Sequence, residues 1–156
     1  MISIINYGIG NVAAFSSAYE KLGILSEEIK DPSDLLNSSH IILPGVGSFE
    51  IAIDKLNSSG FVEPLNRLVT EQRVNILGVC VGFQMMGKNS EEMSTREGLG
   101  WINARTIKIE KEDKRTKLKL PHMGWNRIIK NVDCPLLNGI EDEEFYFLHS
   151  YNVKLD

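Results

Sequence analysis

The sequence predicts an α/β fold: an open, mostly parallel sheet with helices on both faces and antiparallel additions in the C-terminal third. Three observations carry this. Up to about Gly98, short apolar runs alternate with segments of helical spacing, the pattern of strands joined by crossover helices. Two of those runs end in glycine-rich turns, Pro44-Gly45-Val46-Gly47 and Gly78-Val79-Cys80-Val81-Gly82, at the sheet edge where open α/β folds bind ligands. Beyond Gly98 the apolar runs are separated by turns rather than by helices, so antiparallel strands are expected there.

Taken in order, residues 2–7 form an apolar run that ends at Gly8 and Gly10. Asn11 then caps a helix with Val12, Phe15, Tyr19 and Leu22 on one face, closed by Gly23. Residues 24–30 read as a second strand, Asp31-Pro32-Ser33 opens a short helical turn, and residues 40–43 form a third strand. Residues 51–56 and 61–72 have helical spacing, residues 74–79 read as a buried strand, and a further helix starts straight after Gly82. Strands are then expected at 104–109, 118–120, 127–129 and 144–148, with the charged stretch 110–115 at a hairpin tip.

Composition narrows the function. A chain of 156 residues suits one domain, and with 42% hydrophobic and 24% charged residues it is not of the disordered class. The 17 Lys and Arg against 21 Asp and Glu give a net charge of −4 spread along the chain, so no basic face advertises nucleic acid or anionic lipid. No apolar run approaches the ~20 residues that cross a bilayer, and the opening residues lack a basic, cleavable leader. A cytoplasmic protein with a small-molecule or protein partner, no membrane and no nucleic acid is expected. Cys80 and Cys134 make no metal-ligand spacing with each other or with His40, His122 and His149, so neither a metal nor another cofactor is expected.

The strongest chemical feature is Gly78-Val79-Cys80-Val81-Gly82. Glycines two places either side of Cys80 permit the sharp strand-to-helix turn of a nucleophile elbow. In that position the start of a helix favours a thiolate, and the Val81 amide can face a developing oxyanion, as acyl transfer requires. Cys80 is therefore expected to be more reactive than Cys134, which precedes Pro135. The bland alternative is an inert cysteine among packing glycines. The Pro44–Gly47 turn, with Val46 and Gly47 at its tip, reads as a second source of inward-facing amides or as a plain turn. Gly8-Ile9-Gly10-Asn11-Val12-Ala13 matches a dinucleotide-binding fingerprint, with Glu27 or Glu28 placed for a ribose, and on its own supports a nucleotide-binding module. His40 is expected at the surface, and His122 and His149 in loops, satisfying local hydrogen bonds; none is an evident base for Cys80.

Together these segments, with Phe83 and Gln84 after the elbow, Gly98-Leu99-Gly100, Pro121-His122-Met123-Gly124-Trp125-Asn126 and Phe145-Tyr146-Phe147-Leu148-His149-Ser150-Tyr151, resemble the class I glutamine amidotransferases. Within that class the chain resembles, from end to end, the glutaminase subunits of imidazole glycerol phosphate synthases. The resemblance implies a flavodoxin-like fold and hydrolysis of glutamine to glutamate and ammonia. It also implies a heterodimer with a (β/α)8-barrel cyclase that uses the ammonia in histidine biosynthesis. By the same resemblance Cys80 is the nucleophile, the Val81 amide and the Val46–Gly47 segment form the oxyanion hole, and Gln84, Ser150 and Tyr151 hold glutamine. Asn11, Trp125 and Asn126 then face the cyclase, and the dinucleotide-like turn becomes a partner-facing loop; Trp125 as a core residue is the alternative.

Two departures qualify the resemblance. Phe83 stands where the family often has methionine, which would suit a paralogue that supplies ammonia to a surface-sugar synthase. The family also continues beyond the His149-Ser150-Tyr151 region into a segment carrying a histidine and a glutamate that complete a catalytic triad. Residues 1–156 are thus expected to be a single amidotransferase domain incomplete at its C-terminus, with low activity or a partner-binding role alone.

Overall fold

The computed structural model describes residues 1–110 and 119–156. The chain divides into two compact units, Met1–Ile107 with Val153–Asp156, and Lys108–Asn152. In the first unit the order is β1 (Ile2–Ile5), α1 (Val12–Lys21), β2 (Ser26–Ile29), a 3-10 turn (Pro32–Asn37), β3 (His40–Gly45), α2 (Phe49–Ser58), α3 (Val62–Asn66), a π-helical turn (Arg67–Glu71), β4 (Asn75–Cys80) and α4 (Val81–Met85). Four strands lie parallel in the order β2-β1-β3-β4. The central sheet is therefore the open parallel α/β sheet expected, with a helix or helical turn between successive strands.

Period-two alternation distributes the core over both faces. Ile4 and Ile42 pack with Val12, Phe15 and Tyr19 of α1 on one face, while Ile5, Ile41 and Leu43 pack with α2, α3 and α4 on the other. On α2, Phe49, Ala52, Ile53 and Leu56 recur at helical spacing and are all buried. At ~1.5–3 kcal/mol for each of the three large side chains, that stripe contributes about 5–9 kcal/mol of gross hydrophobic stabilisation. Both long helices start as their caps dictate: the Asn11 side chain accepts from the Ala14 amide, and that of Ser48 from the Ile51 amide.

Several boundaries differ from the periodicity. β1 stops at Ile5, and β2 begins only at Ser26 because Ile24 and Leu25 are left exposed. Residues 74–79 were expected to be buried, but β4 stands at the edge of its sheet with Leu77 39% exposed. An apolar run states which side chains avoid water, not how many neighbours the strand acquires. Two short strands that the pattern did not reveal, β5 (Asn89–Ser90) and β6 (Arg96–Glu97), pair antiparallel, and β5 runs parallel to β7 (Ala104–Lys108). With β10 (Tyr151–Leu155) they make a second sheet in the order β10-β7-β5-β6.

In the second unit β8 (His122–Arg127) and β9 (Glu144–His149) form an antiparallel ribbon. The strand expected at 127–129 is displaced: it ends at Arg127, and Ile129 is 88% exposed. Lys119 and Leu120 lie outside any strand; Leu118, and 111–115 of the expected hairpin tip, fall outside the described residues. His122 and His149, expected in loops, are directly opposed on the two strands. The ladder to β9 keeps residues 122–127 extended, with Gly124 absorbing a φ of +140°.

Candidate active site

Cys80 ends β4 and immediately precedes α4. Its backbone sits at φ 56° and ψ −120°, a region that L-residues rarely adopt, and its side chain is exposed. The flanking glycines explain how the chain makes this turn. A Cβ on Gly78 would collide with the Phe83 backbone, and one on Gly82 with the Leu43 carbonyl. The expected elbow is thus present as geometry, with both glycines required by close backbone approach.

The second glycine turn lies beside it. In the parallel register of β3 and β4, Pro44 pairs with Val79 and Gly45 with Cys80. A side chain on Gly45 would strike the backbone of Val81 and Gly82, so the end of β3 and the start of α4 touch backbone to backbone. Val46 then projects with 52% exposure, and Gly47 takes a φ of +82° before Ser48 caps α2. Gln84 follows Cys80 by four residues, next to its helical turn, and is partly buried. Cys80, Val81, Val46, Gly47 and Gln84 are all in the first unit, around one sheet edge. Such an edge presents an exposed thiol, held in a strained turn, opposite the backbone of Gly45.

Side chains from outside these motifs hold the surrounding backbone. The Tyr7 hydroxyl, on a side chain only 6% exposed, donates to the Pro44 carbonyl at 2.8 Å, and burial pushes its phenol well above the usual range. The Phe49 amide donates to Glu92 Oε2 at 2.7 Å. Arg96 donates to Glu50 Oε1 through Nη2 at 2.8 Å and through Nε at 3.0 Å, and reaches Asp54 at 3.4 Å. Sequence reasoning missed all of these, because nothing local marks them.

Asn11 is exposed, and its side chain is the α1 cap. Tyr7, immediately before the expected partner-facing turn, is turned inward. In the second unit, Ser150 and Tyr151 are partly buried at the end of β9 and the start of β10. His149 Nδ1–H donates to the Tyr151 carbonyl at 2.8 Å, His149 Nε2 accepts from His122 Nδ1 at 2.8 Å, and His122 Nε2 accepts from Asn126 Nδ2 at 3.2 Å. This assignment of protons satisfies all four ring nitrogens with two neutral imidazoles. The two histidines are occupied with each other and with local groups. On the opposite face of the ribbon Trp125 is 66% exposed and stacks edge-on against Tyr146, which is 53% exposed, with ring centroids 5.5 Å apart. Met123 and Leu148 extend that apolar face at 63% and 58% exposure, so Trp125 is not a core residue.

The profile of the family "Glutamine amidotransferase class-I" matches residues 5–156, and the chain belongs to that family. Among its curated relatives are the imidazole glycerol phosphate synthase subunits HisH of Leptospira interrogans, 39% identical over all of this chain and 76% of that protein, and of Bacillus subtilis, 39% identical over 98% of this chain and 72% of that protein. A HisH 1 subunit of Campylobacter jejuni is 40% identical over 99% of this chain and 76% of its own length. A solved glutamine amidotransferase superposes with a TM-score of 0.59 at 19% identity, over 69% of this chain and 57% of that one, and shares its fold.

Proposed function

We propose that this chain is the glutaminase subunit of an imidazole glycerol phosphate synthase, in which glutamine is hydrolysed to glutamate and the ammonia is passed to a cyclase subunit. The observation that carries the reading is Cys80 in its left-handed elbow, directly across the ladder from Gly45 at the head of the Pro44–Gly47 loop. The Cys80 thiolate attacks the carboxamide carbon of glutamine, and the charge that develops on oxygen is met by the amide of Val81 and by the Val46–Gly47 segment. Collapse of that intermediate breaks the C–N bond as a general acid outside these groups protonates the nitrogen, which leaves as ammonia; water, giving its proton back to that group, then cleaves the thioester to release glutamate and the thiolate. Gln84 holds the substrate in this reading, and Ser150 and Tyr151 carry the same assignment from the family resemblance alone.

The partner is a (β/α)8-barrel cyclase in the cytoplasm. No helix among the described residues is long and apolar enough to cross a membrane. Trp125 and Asn11 face the cyclase in this reading, and the exposed Trp125–Tyr146 stack extends that set to a residue the motif did not mark, whereas Asn126, on the ribbon's other face and bonded to His122, does not share the Trp125 surface. An aromatic pair beside exposed Met123 and Leu148 has the make-up of an interface centre.

Two measurements test this. A diazoketone analogue of glutamine should label Cys80 first, because it is exposed in a strained elbow while Cys134 is partly buried ahead of a 3-10 turn. Equal labelling of both thiols in the native protein refutes the assignment. Trp125→Ala should raise the Kd for the cyclase about 30-fold, the effect of an interface anchor worth about 2 kcal/mol, with the circular dichroism spectrum unchanged. Unchanged affinity would remove Trp125 from the interface, and activation by a surface-sugar synthase in place of the cyclase would assign the chain to that paralogous role.

A further inference from the structure

We propose that Tyr7 is a positioning residue for the oxyanion loop: its hydroxyl bond to the Pro44 carbonyl pins the upstream end of that loop, where Pro44 and Gly45 also pair with β4, while Glu92 and Arg96 pin the downstream end, leaving Val46 and Gly47 to span between two anchored ends. The inference rests on the reading of Pro44–Gly47 as an oxyanion loop.

Beyond the ladder that holds Pro44 and Gly45, the loop by itself is poorly determined. It holds two glycines and an exposed valine, and Gly47 already occupies a left-handed conformation. Such backbone has many accessible states, and an amide aimed at a developing charge is useful only if it is held there beforehand. Upstream, Tyr7 is buried, and burial keeps its phenol protonated, so it remains a donor through the pH range in which the protein works. The neighbouring turn closes over the same proline: a Cβ at Gly10 would lie 2.8 Å from Pro44 Cβ. Downstream, the Glu92 carboxylate accepts the first amide of α2, and Arg96 grips Glu50 in its first turn and Asp54 one turn on. Glu92 and Arg96 follow α4 and the strand β5, so this strap ties the nucleophile's own helix to the helix that begins where the oxyanion loop ends.

The consequence is separable from folding. Tyr7→Phe keeps the ring in the core and removes only the donor, leaving a buried carbonyl without its partner. Acylation of Cys80 by γ-glutamyl p-nitrophenyl ester forms the S–C bond through a tetrahedral oxyanion and expels nitrophenolate, which needs no proton. Alkylation by iodoacetamide displaces iodide and forms no oxyanion. In Tyr7→Phe the maximal acylation rate should fall about tenfold, with the ester's half-saturating concentration changed less than twofold and the alkylation rate unchanged. Arg96→Gln should show the same pattern to a smaller degree, and Arg96→Lys should restore part of the loss. An unchanged acylation rate in Tyr7→Phe overturns the proposal, as does an equal fall in acylation and alkylation, which would mean general disturbance of the elbow. If the unsubstituted protein is not acylated at Cys80 at all, it is the glutaminase reading that fails.

Discussion

Replacing Cys80 by glycine is expected to abolish glutamine hydrolysis and, in the same protein, to raise its stability. Loss of the nucleophile should lower glutamate release about 10⁴–10⁶-fold, since a covalent route through a thioester has no substitute at this edge. The stability gain follows from the backbone. At φ 56° and ψ −120° Cys80 carries strain on the order of 1–3 kcal/mol, which glycine relieves. Glycine costs about 0.4–1 kcal/mol through the greater freedom of the unfolded chain, so the net gain should be about 1 kcal/mol. Denaturant unfolding and glutamate release, measured on the protein continued by the C-terminal segment of a HisH relative and supplied with the cyclase, read the two effects separately. A stability loss of that size would mean that the elbow is unstrained and that the Cys80 side chain contributes packing.

The polypeptide of residues 1–156 by itself is expected to release glutamate about 10²–10⁴-fold more slowly than the same polypeptide continued by a relative's C-terminal segment, the usual effect of general acid–base help. Departing ammonia must be protonated and the deacylating water must lose a proton. Cys80, the Val81 amide and the glycine loop supply neither step. The two histidines of the β8–β9 ribbon are spent on the chain that runs from the Tyr151 carbonyl through His149 and His122 to Asn126. Removing either ring strands its neighbour's nitrogen, an arrangement suited to holding the ribbon together. Acylation by an activated ester, which needs no acid, should differ far less between the two polypeptides than glutamine turnover does. Equal turnover would show that a base lies within residues 1–156, and His122→Ala and His149→Ala would then identify it.

Much of the site was legible because its signals are local. Glycines two residues either side of Cys80, between an apolar run and a helical segment, report a turn that few other residues allow, and the backbone angles of Cys80 bear this out. The caps at Asn11 and at the 3-10 turn after Asp31 were equally readable, since each is decided by a side chain and an amide two or three residues away. The errors fell where local rules conflict with pairing. His122 and His149 were expected in loops, and the ladder between residues 122–127 and 144–149 made strands of both segments. Residues 89–90 and 96–97 carry no periodicity, being too short to have any.

The sequence by itself determined the alternation of strand and helix, the elbow around Cys80 and the glycine loop at residues 44–47, because each is encoded within a few neighbouring residues. Tertiary structure alone decided that β4 lies at a sheet edge, that Gly45 stands opposite Cys80, and that Tyr7 reaches Pro44 and Arg96 reaches Glu50. It also decided that Trp125 is exposed against Tyr146 rather than buried. The last three pairs join residues 37, 46 and about 20 positions apart. Contacts at such separations depend on strand order and register, and those are set by how whole faces exclude water together, a property no short window of residues contains.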